Sequence, residues 1–420
     1  MRARLLRTGL PVLAAALALA GCSGDDDTPQ GPRPAAVALK DLKVDGDLRI
    51  GLLVTLDSAP GQGDALLPAA SGAQVAVERL TLGGSKVSLD VQDDRGTADG
   101  AVQAIERFVA DGVGGIVVAS TGDHLDDALA AASKAGVPVI APYLRDADGL
   151  PAGVWLTGPD DRGVAAATQR ALDADKLLDP FVITADGVSA PVDGLEGSAG
   201  TDRPERVVAQ VRKAVKEQRA DSVVVAAAPE TQASIVAGLQ GALPDLPIVL
   251  TPEALTPVFA TRLVDDGGTP ADELTSVGLD ATDATTLAQG PQADAAAAYF
   301  TALRLMADDP DATDVFGSTP FAQVADGADI ASHDAVIALA TAAASAGSVA
   351  PADVEKALDG LTVEAADGLA GPALDFSTPV ALDQSDVVAL ISTSQDPGVR
   401  PAVAGADPGL HWFAIPVEQG

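Results

Sequence analysis

Three residue types that could form a nucleophile with its base fall together in "VVASTGDH", Val117 to His124. A short apolar run ends in Ser120, Thr121 and Gly122, and Asp123 and His124 follow. Read as catalysis, Ser120 attacks, His124 takes its proton and an aspartate orients the ring. Read as binding, the same hydroxyls hold a small ligand at a strand end. Asp123 and His124 begin a helix, where adjacent side chains diverge by about 100°. Ser120, Asp123 and His124 therefore do not line up as a relay. The Gly-x-Ser-x-Gly turn that exposes a serine nucleophile is absent as well. No catalytic residue is assigned, and His124 is expected as a solvated residue of the first helical turn.

Other chemistry is thin. The three histidines, His124, His333 and His411, are far apart, and Cys22 is the only cysteine. No metal-ligand spacing is present, and no metal or cofactor is expected. "GQGDAL" (Gly61 to Leu66) lacks the third glycine of a dinucleotide fingerprint, and "GGSK" lacks the leading glycine of a phosphate loop. Lys and Arg number 26 against 60 Asp and Glu, for a net charge of -34. Such a field repels phosphate backbones, so no nucleic-acid partner is expected.

Alternating elements must position whatever binds. "LRIGLLVT", "KVSLDVQDD", "GGIVVAS" and "VPVIAPY" read as strands, and apolar periodic stretches between them read as helices. "GAVQAIERFVADG" closes at Gly112 and "HLDDALAAASKAG" at Gly136. A second series runs through "PFVIT", "SVVVAAA" and "PIVLT". The strands are apolar throughout, as strands covered on both faces should be. Two such series predict an α/β fold of two similar lobes, each with a mainly parallel sheet flanked by helices, and a cleft between them. In such sheets strand ends face a crevice, and helix N-termini point into it and attract carboxylates. Ser120 and Thr121 add hydroxyl donors there; both also suit a plain helix cap.

The N-terminus reads as targeting rather than fold. Arg2, Arg4 and Arg7 precede an apolar run, Leu10 to Ala20, too short to span a bilayer. It ends in Leu19-Ala20-Gly21-Cys22, which resembles a bacterial lipobox; the alternative is an ordinary secretory signal with an incidental cysteine. Residues 1–21 are thus expected as a lipoprotein signal peptide. Residues 22–47, with Asp25 to Asp27 and several prolines, are expected as an acylated Cys22 and a disordered tether.

The order of these pieces resembles the substrate-binding lipoproteins of branched-chain amino-acid ABC transporters, the Leu/Ile/Val-binding group. The residues that carry the resemblance are "IGLLVTLDSAPGQG", "SGAQVAVERLTLGG", "LDVQDDRGTADGAVQAIERFVADGVGGIVVAS" and "AAASKAGVPVIAPY", followed by "PIVLTPEAL", "SHDAVIALATAAASAG" and "GLAGPALDFS". The resemblance implies the two-lobed type I periplasmic-binding fold with three crossovers. It places residues 48–156 and 282–365 in lobe 1, 157–281 and 366–395 in lobe 2, and 396–420 in a C-terminal tail. It implies a non-enzymatic, extracytoplasmic solute-binding protein that hands an amino-acid-like or carboxylate ligand to an ABC permease. Its only membrane contact would be the lipid anchor. The alternative keeps the fold as a ligand sensor or a degenerate scaffold.

For the ligand site the resemblance implies Ser120, Thr121 and the segment Tyr143, Leu144 and Arg145 around a carboxylate. It implies Glu253 for an ammonium and Ala228 beside the cleft. Three departures stand out. Arg145 replaces a small hydroxyl residue, and it suits either a carboxylate ligand or a surface ion pair. "VVVAAA" offers alanine where an aromatic often closes on the ligand. The stretch between Thr184 and Arg206 is too short for a helix plus a strand.

Overall fold

The protein is described from a computed structural model, which covers residues 36–185, 188–199, 203–270, 273–401 and 409–414. The expected signal peptide, Cys22 and the first part of the expected tether lie outside the described residues.

Continuous apolar runs become buried parallel strands. β1 (Asp47–Val54), β2 (Lys86–Asp93), β3 (Gly115–Ala119), β4 (Val139–Ala141) and β5 (Val154–Leu156) form a five-stranded parallel sheet in the order β2-β1-β3-β4-β5. Every residue of β3 is buried, because helices cover both faces. These helices are α1 (Ser71–Gly83), α2 (Ala98–Asp111) and α3 (Asp126–Ala135). Thr97 caps α2 by accepting from Gly100 N, and Gly112 ends it in the left-handed region at φ 68°.

The second series builds a seven-stranded sheet. β6 (Pro180–Thr184), β7 (Leu195–Ser198), β8 (Ser222–Ala226), β9 (Ile248–Leu250) and β10 (Thr275–Leu279) run parallel, in the order β10-β9-β8-β6-β7. Around them stand α4 (Asp161–Ala174), α5 (Pro204–Lys216), α6 (Pro229–Ala242) and α7 (Pro257–Asp265). The chain then forms α8 (Pro291–Asp308), α9 (Ile330–Ala346) and α10 (Pro351–Leu358). α9 packs on α1 and α10 and also meets β1 and β3, so it belongs with the first sheet. A small hairpin, β11 (Thr362–Val363) with β12 (Leu374–Asp375), precedes β13 (Val387–Thr393), which joins β10 antiparallel. The chain therefore passes between the two sheets three times: after β5, after β10 and before β13. Separate cores sit under each sheet, one holding Leu52, Val117 and Leu339 and another holding Val223, Leu239 and Phe259.

Two expectations are corrected. The tether is not free over its last residues: Leu39 N donates to Arg79 O at 3.1 Å, Val44 N donates to Ser85 Oγ at 3.2 Å, and Val44 is buried. The apolar side chains of Leu39, Leu42 and Val44 make that packing favourable. The expected tail contains β14 (His411–Ala414), which adds to β13 as the sheet edge, and Arg400, which pairs with Asp283. The expectation for the stretch between Thr184 and Arg206 stands among the described residues: it holds a strand, β7, paired with β6, and the described residues before β7 form no helix.

Candidate functional site

The C-terminal ends of β1, β3 and β4 face those of β8 and β9 across a cleft of about 1310 Å³. Gln62, Gly63, Thr121, Gly122, Tyr143, Leu144 and Arg145 line the first wall. Ala227, Ala228, Pro229 and Glu253 line the second. Brief strands and tight connections place these residues: β4 and β9 are three residues long, and the lining loops follow directly.

Ser120 stays behind the wall. It is fully buried, and its Oγ lies 2.6 Å from Thr55 Oγ1. Thr55 gives its own proton to Asp94, with 2.8 and 2.9 Å to the two carboxylate oxygens. The proton between the hydroxyls must therefore come from Ser120, which leaves it none for a ligand. Gly63, at φ 103°, lies over this pair; a Cβ there would collide with Ser120 Oγ. The structure thus places Ser120, expected at the ligand, behind the cleft wall. Thr121, the next residue, does reach the cleft.

His124 is also corrected. It is buried rather than solvated, with Nε2 3.0 Å from Asp94 Oδ2 and Nδ1 3.1 Å from Gln62 Oε1. A short 3-10 turn, Asp123–Leu125, precedes α3 and turns the ring inward, where a regular helical start would have exposed it. Asp94 also accepts from Gly96 N at 2.8 Å. One carboxylate thus ties together the loops after β1, β2 and β3. The ring contacts Asp94 and Gln62, and Ser120 contacts Thr55, so no base reaches the serine.

Tyr143 turns its hydroxyl to Asp329, at 2.6 Å, and to Ser332 Oγ, also at 2.6 Å. Asp329 caps α9 by accepting from Ser332 N. Burial pushes the Asp329 carboxyl up to about 6, against the hydrogen bonds from Tyr143 and Ser332 that pull it down. Burial raises the Tyr143 phenol as well, with the neighbouring Asp329 adding to the effect. Leu144 packs against the core that contains Leu125 and Leu129.

Arg145 and Glu253, expected at opposite ends of a ligand, meet each other. Arg145 Nη1 lies 2.6 Å from Glu253 Oε1, and Nη2 lies 2.8 Å from Asp161 Oδ1. Burial lowers the affinity of Arg145 for its proton, but the two carboxylates outweigh it and hold the pKa above the ordinary value. The second arginine of the cleft, Arg400, is taken too: Nε donates to both oxygens of Asp283, and Nη1 donates to the carbonyls of Asp326 and Ala328. Carboxylates outnumber guanidiniums along the described cleft lining. Among the described residues no cluster suits a metal ion.

Sequence reasoning missed Gln62, Asp161, Asp329, Arg400 and Trp412 as cleft residues. Gln62 lies in a stretch quoted for the family resemblance; Arg400 and Trp412 fall in the part read as a tail.

The sequence profile described as "Periplasmic binding protein" matches residues 47–381. Among curated proteins no sequence matches the chain. Among solved structures, the chain is similar to the branched-chain amino acid transporter substrate-binding protein LivJ from Streptococcus pneumoniae in complex with isoleucine. That pair shares 19% identity at a TM-score of 0.60, over 83% of this chain and 96% of that one. A periplasmic binding protein type 1 from Bordetella pertussis matches with 15% identity and TM-score 0.62, over 88% of this chain and 100% of the other. A fatty acid ABC transporter substrate-binding protein from Thermomonospora curvata gives 16% and 0.59, over 88% and 93%. At such identities the shared property is the fold, the two-lobed α/β arrangement of type I periplasmic-binding proteins. With a profile match that runs from β1 past β12 and so covers most of both sheets, the chain belongs to the periplasmic binding protein family.

Proposed function

We propose that the chain is an extracytoplasmic, lipid-anchored solute-binding protein without catalytic activity of its own. It closes two lobes over a small amino-acid-like or carboxylate ligand and delivers it to an ABC permease. The lobes comprise residues 48–156 with 282–382 and 157–281 with 383–395; the expected boundary at 365/366 moves to just before β13, because β12 pairs with β11 and Val380 bridges Leu156 on the first sheet, where α9 also packs. The observation that carries the reading is the cleft itself, with Thr121 and Arg145 on one wall facing Ala228 and Glu253 on the other. Ligand contacts to both walls favour the closed arrangement, which is how such proteins couple binding to hinge motion.

Thermal-shift measurement of the chain against amino acids, small dicarboxylates and a fatty acid tests it. A saturable rise in Tm with an amino acid or a small dicarboxylate supports the reading, since binding to the native state alone raises Tm. A response to the fatty acid only would replace the ligand class. Cell fractionation of Cys22→Ser tests the anchor: the variant should leave the membrane fraction, and retention equal to the parent would refute acylation.

A second reading, a sensor or degenerate scaffold on the same fold, is favoured by the pairing of Arg145 with Glu253, which occupies the groups a ligand would use. It takes the lead if no compound shifts Tm.

A further inference from the structure

Among the described arginines, Arg145 ion-pairs with carboxylates from two other elements. It leaves the loop after β4, in the first lobe. Asp161 opens α4 at the first crossover, and its backbone N–H donates to Arg145 O at 3.1 Å while its carboxylate takes Nη2. Glu253 follows β9, inside the second lobe, and takes Nη1. Gln232 Nε2 reaches the other oxygen of Glu253 at 3.4 Å and Thr251 Oγ1 at 2.9 Å, so the carboxylate is steadied from behind. The side chain of Arg145 is only 18% exposed, which separates it from pairs such as Arg162 with Asp148, at 80% and 86%.

We propose that Arg145 is a latch that holds the cleft closed without a ligand. The two acids have different tasks. Asp161 stands at a crossover, where rotation of one lobe against the other displaces atoms least, so it keeps the guanidinium aimed whether the cleft is open or shut. Glu253 travels with the second lobe and supplies the contact that forms on closing. A planar guanidinium with forked donors satisfies both carboxylates at once, which an ammonium does less well. An empty cleft that closes on itself competes with its ligand: the fraction of open molecules multiplies the intrinsic affinity. The inference rests on the ion-pair geometry and holds whatever ligand the cleft takes.

The test needs no ligand. On the full-length chain in detergent, Cys22→Ser removes the native thiol. D127C on α3 and T261C on α7, both exposed, then carry spin labels, one on each lobe. Pulsed-dipolar distances between the labels read the lobe separation. The parent should give one short population. Arg145→Ala and, from the other lobe, Glu253→Gln should each shift weight to a longer one, lowering the closed-to-open ratio by about tenfold or more. Salt near 1 M should move the parent the same way, because the pair is partly exposed. R145E with E253R, which re-forms the pair in reverse, should recover part of the short population. If Arg145→Ala keeps the parent's distances, the latch is wrong. If that variant does not fold, unchanged distances in Glu253→Gln overturn it equally. A ligand screen that finds nothing leaves this measurement intact, so failure of the latch and failure of the binding reading are separable.

Discussion

The imidazole Nε2 of His124 lies 3.0 Å from Asp94 Oδ2, and both side chains are buried beneath the first cleft wall. Asp94 is the hub of that contact: Thr55, Gly96 and His124 all converge on it. Truncating it strands three polar groups at once. Asp94→Ala should therefore lower stability by at least about 2 kcal/mol. Urea unfolding of the variant against the parent checks this; a loss under about 0.5 kcal/mol would mean that water replaces the carboxylate without cost.

Asp329 should make stability depend on pH. Its carboxyl is raised to about 6 by burial, so the native state holds this proton more tightly than the unfolded chain does. Its contribution is fully present below roughly pH 4, the unfolded carboxylate range, and is lost as pH rises through 6. Asp329→Asn keeps a side chain able to cap α9 and cannot titrate. Comparing denaturation midpoints near pH 4.5 and pH 7, the variant should lose part of the parent's decline with rising pH. An unchanged slope would place the titrating group elsewhere.

Ser120 and Thr121 should separate cleanly, although they are adjacent. Thr121→Ala should weaken the compound found by thermal shift by about tenfold, the value of a lost hydrogen bond to a charged group. Ser120→Ala should leave affinity within about twofold and instead cost about 1 kcal/mol of stability. Calorimetry and urea unfolding read the two effects. Equal losses of affinity would mean that Gly63 moves aside and uncovers the serine.

Arg400 should matter to folding, though it stands in the last part of the chain. Its guanidinium lies 5.3 Å over the Phe300 ring and is held to Asp283. Removing one partner of a buried pair strands the other, so Arg400→Ala should cost about 3 kcal/mol. Asp283→Asn should cost a similar amount, and the double variant less than the sum of the two. Additive losses would show that the pair is not coupled.

Much of the fold was legible because local chemistry and tertiary burial agree. "GGIVVAS" has to be a strand buried on both faces, and Gly112 and Gly136 end their helices in the left-handed conformation that glycine tolerates best. The lining of the cleft was legible in position. Thr121, Tyr143, Leu144, Arg145, Ala228 and Glu253 do line one cleft, because strand ends in a parallel sheet share an edge. Which of their polar atoms are free was not legible. Ser120 and Thr121 differ by one residue, and the turn that follows β3 sends one to a hidden threonine and the other to the cleft.

Periodicity, charge and turn residues in the sequence by themselves determined two βα series, a cleft between them and an acidic surface; each follows from neighbours close along the chain. Only tertiary structure decided that His124 is buried against Asp94, that Arg145 meets Glu253 rather than standing open, and that Arg400 reaches back to Asp283. These contacts join residues 30, 108 and 117 positions apart. No local propensity encodes such a pairing; it exists only once two sheets and their loops have been brought together and the desolvated charges there have had to find partners.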